Sequence, residues 1–151
     1  MTMQQLLDTL TRNRLLETRG QVEAFDKALE QFAVHPEASA HLRELHLVLD
    51  DRTTKIGVMW GVIHLLESFD IEKQLQGFIA ALPTLQKQAP EFVKTLNFRL
   101  LNDEAARGRY KAAYQAADTP ARSLLASSLA EIIETEEPPL RDYACEVVAP
   151  S

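Results

Sequence analysis

Residues 55–70, KIGVMWGVIHLLESFD, restrict the possible folds more than any other part of the chain. Between Ile56 and Phe69 the stretch contains no proline, and Glu67 is its one carboxylate. At about 100° per residue, Ile56, Val58, Met59, Val62, Ile63, Leu65, Leu66 and Phe69 cover roughly half of a helix surface. The other half carries Gly57, Gly61, Ser68, Trp60, His64 and Glu67. A helix with one apolar side and one small or specialised side is not an ordinary surface helix. The pattern predicts a central helix touched by neighbours on both sides.

The rest of the chain has the same period. Residues 2–10 carry Leu6, Leu7 and Leu10, followed by a break near Gly20, and residues 21–34 carry Val22, Phe25, Leu29 and Phe32 at helical spacing. Pro36 marks the start of a third helix running through Leu42, Leu45 and Leu49. Thr53 or Thr54 can cap the central helix, and Asp70 can cap the next one, which ends, kinks or continues at Pro83. Pro90 opens another helix. Asn102-Asp103 and Asp118-Thr119-Pro120 then signal two more starts. No period-2 stretch competes. The expectation is an all-α single domain of about seven to eight helices, arranged as stacked helical hairpins in a HEAT-like manner. That domain covers residues 1–137. Residues 138–151 are expected to form a proline-bounded tail, extended or loosely packed.

The chain has 151 residues, 46% apolar and 25% charged, as in soluble globular proteins. Its net charge of −6 disfavours direct nucleic-acid binding and favours a basic protein partner. Cys145 is the one cysteine, so no disulfide can form within the chain. The N-terminus does not have the pattern of a signal peptide, and no run approaches the roughly 20 apolar residues of a membrane span. These features predict a cytoplasmic protein that engages no membrane.

Trp60, His64 and Glu67 share one helix stripe at i, i+4 and i+7. His64 and Glu67 have the HxxE spacing of carboxylate-bridged metal sites in bundles. Such sites need two such motifs and extra glutamates, and the expectation is that no second HxxE accompanies this one, so no metal is expected. A semi-buried His64–Glu67 hydrogen bond beside Trp60 is the structural reading, and a partner-facing Trp60 or Glu67 the functional one. The Gly57–Gly61 spacing suggests close approach of another helix. His35, His41 and His46 are expected to be exposed or to act as caps. Cys145 has no evident base, and Ser123, Ser127 and Ser128 lack a GxSxG setting. No phosphate loop or dinucleotide fingerprint is present. An enzyme is not indicated, nor is any cofactor.

Asp50, Asp51, Asp70 and Glu72 fall at predicted helix ends flanking residues 55–69, where one rim could carry them all. Glu131, Glu134, Glu136 and Glu137 form a second acidic end. Both clusters can be ordinary solvated termini. The functional alternative is a negative docking face.

VMWGVIHLLESF, with Trp60, His64 and Glu67 in it and Asp50-Asp51 before it, resembles immunity family 30 of the bacterial polymorphic-toxin systems. The resemblance continues through ALPTLQKQAPEFVKTLNFRLLND and DTPARSLLASSLAEI and covers residues 42–134. It implies a small cytosolic antidote, as in contact-dependent inhibition, that binds and blocks a cognate toxin domain. Such toxins are often nucleases, whose basic clefts suit an acidic inhibitor. Asp50, Asp51, Trp60, Glu67, Asp70 and Glu72 are the expected toxin-binding residues, aided by exposed aromatics such as Trp60 or Tyr110. The alternative role for Trp60, His64 and Glu67 is that of a structural signature. A HEAT-like adaptor for another protein or peptide is the alternative.

Overall fold

The computed structural model describes residues 1–150 and contains nine α-helices and one 3-10 turn among them. The fold is all-α. By backbone contacts the chain divides into two compact units, residues 1–89 and the residues from Pro90 onward.

In the first unit, α1 (Met3–Asn13) and α2 (Arg19–Ala33) form a hairpin. Both begin with the same device. Thr2 accepts from the amide of Gln5 while Gln5 accepts from the amide of Thr2, and Thr18 and Gln21 repeat the arrangement. Each pair satisfies two amides that the first helical turn leaves open. Met3, Leu6, Leu7 and Leu10 of α1 and Phe25, Ala28 and Phe32 of α2 are buried. The break lies before Gly20, which sits inside the first turn of α2. It occurs at Leu16, a fully buried residue with φ 54°. The left-handed region costs a side chain about 1–2 kcal/mol, and Thr54 helps hold it by donating its hydroxyl to the Leu16 carbonyl at 2.6 Å.

The single helix expected from Pro36 to Leu49 is instead two short pieces. A 3-10 turn, Ala38–Ala40, precedes α3 (Leu42–His46), and tight turns follow to Leu49. The backbone there closes i to i+3 bonds, such as Val48 to Leu45 and Leu49 to His46. This tighter winding coincides with burial of Leu42, Leu45, Val48 and Leu49, four apolar residues within eight positions.

α4 (Ile56–Glu67) and α5 (Ile71–Gln88) complete this unit. Pro83 lies inside α5, which continues past it. Leu82 and Leu85 are buried on either side of the proline. Gln88 then ties the helix end to the preceding loop, donating to the carbonyls of Leu47 and Leu49 at 2.7 and 2.9 Å. α5 packs chiefly on α3. There Gly77 has no room for a side chain, because an added Cβ would stand 3.0 Å from the Leu42 backbone.

The second unit holds α6 (Pro90–Asn102), α7 (Glu104–Ala116), α8 (Thr119–Thr135) and α9 (Leu140–Val148). Asp103 and Asp118 cap α7 and α8 through the amides of Ala106 and Ala121, both at 2.9 Å. Val93, Leu96, Leu100, Leu125, Leu129 and Ile132 are buried. One polar chain crosses this interior. Tyr110 donates to Asn97 at 2.7 Å, and Asn97 donates to Ser128 at 3.3 Å.

The stretch after Pro138-Pro139 is not extended. It forms α9, whose Ala144 and Val147 are buried, and it packs on α7 and α8. Arg107 of α7 lies over the Tyr143 ring at 3.9 Å and pairs with Glu146 at 2.7 Å. Prolines at 138 and 139 end α8 and are tolerated at the start of the next helix.

Candidate functional site

α4 begins without a side-chain cap. Thr54 turns away to the Leu15 and Leu16 carbonyls, and Thr53 accepts from the Lys55 amide at 3.4 Å. Met59, Val62, Ile63 and Leu66 are buried. The opposite side is open. Ile56 is 60% exposed, Gly57, His64 and Glu67 are exposed, and Trp60 is half-buried. At helical spacing these five residues occupy an arc of about 100°. The helix is therefore embedded on one side, not on both.

The Trp60 and His64 rings sit 5.8 Å apart and are tilted by 47°. His64 and Glu67 are both exposed, which replaces the expected semi-buried pair. Of the two glycines, Gly61 meets Leu29 at ordinary van der Waals distance, and Gly57 faces open space. The close approach in this unit is at Gly77 instead. A glycine in an amphipathic pattern carries no sign of which neighbour it will meet.

The acidic residues do not share a rim. The amide of Asp51 donates to the carbonyl of Gln88 at 3.2 Å, at the C-terminal end of α5. Asp70 is the N-cap of that same helix. An 18-residue helix is about 27 Å long, so the pairs Asp50-Asp51 and Asp70–Glu72 stand at opposite ends. Asp70 is exposed and forms no side-chain cap bond, while Asp51 and Glu72 are half-buried.

Asp50 is fully buried. Its carboxylate accepts from Arg52 at 2.9 and 3.1 Å and from Arg14 at 3.0 Å. Hydrogen bonds from Arg52 foremost hold the acid far below the usual carboxylate range, against the opposing effect of burial. Its charge is engaged within the protein by Arg14 and Arg52. Tyr110 is likewise fully buried, so it is not an exposed aromatic. Burial raises its phenol pKa well above the normal value.

His46 is also an interior residue. It is buried, lies 2.7 Å from the Leu42 carbonyl through Nδ1, and packs on Phe78 with ring centroids 5.9 Å apart. Desolvation lowers its pKa to about 4. His35 accepts from the amide of Glu37 at 3.0 Å. His41 lies 3.7 Å from Glu44, a second HxxE pair where only the one at His64 and Glu67 was expected. Among the described residues no group of three His, Cys, Asp or Glu side chains is placed to hold a metal ion. No helix among them is long and apolar enough to cross a membrane. The second acidic end is as expected in outline: Glu131, Glu134 and Glu137 are exposed, and the last turn of α8 has no basic residue.

What the geometry offers is an exposed stripe on α4, aromatic and aliphatic at one end and acidic at the other, on a helix whose far side is firmly packed. No curated protein and no solved structure gives a significant match to the chain. The profile of the family described as Imm30, immunity protein 30, matches residues 12–110, which takes in α2 and all of α4 and stops short of α8. That match covers more than half of the sequence, and the chain belongs to the immunity protein 30 family.

Proposed function

We propose that this protein neutralises a cognate bacterial toxin domain by forming a stoichiometric complex with it. Membership in an immunity-protein family carries this reading, since it implies toxin neutralisation by a non-enzymatic protein. The proposed docking face is the open side of α4. Ile56 and Trp60 provide apolar and aromatic anchors, and Glu67, with Asp70 beyond the helix end, provides negative charge. Tight interfaces concentrate their energy in such aromatic anchors, with charged groups setting the encounter rate. Asp51 and Glu72 are secondary contributors because they are half-buried.

The net charge of −6 favours a basic partner, and a nuclease with a cationic substrate cleft fits that description. Action in the cytoplasm during contact-dependent growth inhibition, and a HEAT-like stacking of the hairpins, belong to the same reading. The test is capture of partners by the tagged protein from its native host, followed by mass spectrometry. A C-terminal fragment of a secreted toxin, bound one to one, is the expected result. Recovery of several housekeeping proteins and no toxin would replace this reading with that of a helical adaptor.

A further inference from the structure

Facing the first turns of α5 is a concavity of about 270 Å³ in the first unit, formed where the 3-10 turn and α3 meet that helix. Ser39, Arg43, Lys73 and Gln76 supply its polar lining. Its shape follows from Gly77. With no side chain there, α5 lies against the backbone of Leu42 and Arg43, and the longer side chains around the contact form a rim.

The chemistry of that rim is one-sided. Arg43 and Lys73 are cations, and Ser39 and Gln76 each carry a hydrogen-bond donor. Among the described residues, the side chains of Ser39, Lys73 and Gln76 make no hydrogen bond or ion pair. Arg43 has Glu44 at 3.7 Å, which is longer than a hydrogen bond. Two cations therefore border one small concavity in a protein whose net charge is −6, Arg43 in a loose ion pair with the neighbouring Glu44 that leaves most of its donors open. Like charges placed together repel, and a bound anion removes that repulsion while engaging the idle donors.

We propose that this concavity binds a small oxyanion, a phosphate or carboxylate group, between Arg43 and Lys73. Ser39 and Gln76 donate to its remaining oxygens. The site lies apart from the open stripe of α4 and does not depend on the toxin-binding reading. Two cations favour a doubly charged ligand, so inorganic phosphate is the first probe.

The isotope-labelled full chain is titrated with sodium phosphate at pH 7 and constant ionic strength, and amide resonances are followed by NMR. A second titration uses acetate. The expected result is saturable shifts confined to residues around Ser39, Arg43, Lys73 and Gly77. Lys73→Gln and Arg43→Gln should each weaken binding about tenfold or more, the effect of one charge-assisted hydrogen bond. Both side chains are exposed, so unchanged melting temperatures should accompany the loss. Whichever anion saturates the signals at lower concentration identifies the class, and either one supports the site. Shifts that stay linear to the end of the titration, that chloride reproduces, or that survive both substitutions would overturn the proposal.

Discussion

Arg14 and Asp50 are 36 positions apart in the chain, and the Nε of one lies 3.0 Å from the buried carboxylate of the other. Together with Arg52 and the Thr54 bond to Leu16, this pair fastens the α1–α2 connection to the loop that leads into α4. Asp50→Asn should therefore destabilise the protein by about 2–4 kcal/mol, since it removes one partner of a buried pair but leaves partly exposed arginines able to reach water. Urea unfolding of the variant measures this. The acid's folded pKa is depressed, so its contribution is complete above the ordinary carboxylate value and is lost as pH falls below about 4. A wild-type stability unaffected by acid in that range would contradict the assignment.

His46 gives a second pH dependence at higher pH. The unfolded chain takes up a proton near pH 6.5, whereas the buried ring resists until about 4. Unfolding thus binds a proton in that window, and stability falls as pH decreases from 6.5 towards 4. The loss approaches about 3 kcal/mol at the lower end, at roughly 1.4 kcal/mol per unit. His46→Phe should flatten the slope of stability against pH between these limits. A slope identical to that of the wild type would place the titrating group elsewhere.

Gly57 and Gly77 should respond to alanine in opposite ways. Gly57→Ala adds a methyl group in open space within a helix, which favours folding by about 0.5–1 kcal/mol. Gly77→Ala drives a methyl group to 3.0 Å from the Leu42 backbone and should cost about 1–3 kcal/mol. Thermal melts of the two variants decide the matter. Equal effects would mean that α3 and α5 are not in such close contact.

Tyr110→Phe removes the donor that satisfies Asn97 in the interior of the second unit. The orphaned amide oxygen should cost about 1–3 kcal/mol. Leu125 accepts from Ser128 through its carbonyl, so the rest of the chain keeps its bonds. Calorimetric unfolding would show the loss, and a neutral result would mean that water replaces the phenol.

Trp60→Ala should weaken the toxin complex by at least about 2 kcal/mol, roughly 30-fold, if the open side of α4 is the docking face. The side chain is half-buried, so a melting temperature measured in parallel separates lost affinity from lost folding. Titration calorimetry with the captured toxin fragment gives the affinity. Full affinity in the variant would move the interface off this stripe.

Local signals were readable in the chain because they act over a few residues. Leucine and phenylalanine at intervals of three and four mark the helices. Asp103, Asp118 and Pro90 mark three starts through hydrogen bonds or backbone angles that each residue carries with it. The WGVIHLLE pattern put Trp60, His64 and Glu67 on one stripe for the same reason, and it lies within the family match. The helix after Pro139 is not legible in the sequence because its apolar pattern, with Tyr143, Ala144 and Val147, is short and packs against α6 and α7, elements distant in the chain, as well as α8.

Charge alone could not distinguish Asp50 from Asp51. One is buried between two arginines and the other is half-buried, and Arg14 arrives from a different hairpin. His46 and Tyr110 looked like surface groups because polarity predicts exposure only until a tertiary partner satisfies it. The sequence by itself determined most of the helices, the Asp103 and Asp118 caps and the composition of the α4 stripe, all consequences of local geometry. Only the tertiary structure decided which side of α4 is covered, that the acidic pairs stand at opposite ends of α5, and which polar groups are internal. Those outcomes depend on contacts between residues far apart in the chain, and no short-range spacing encodes them.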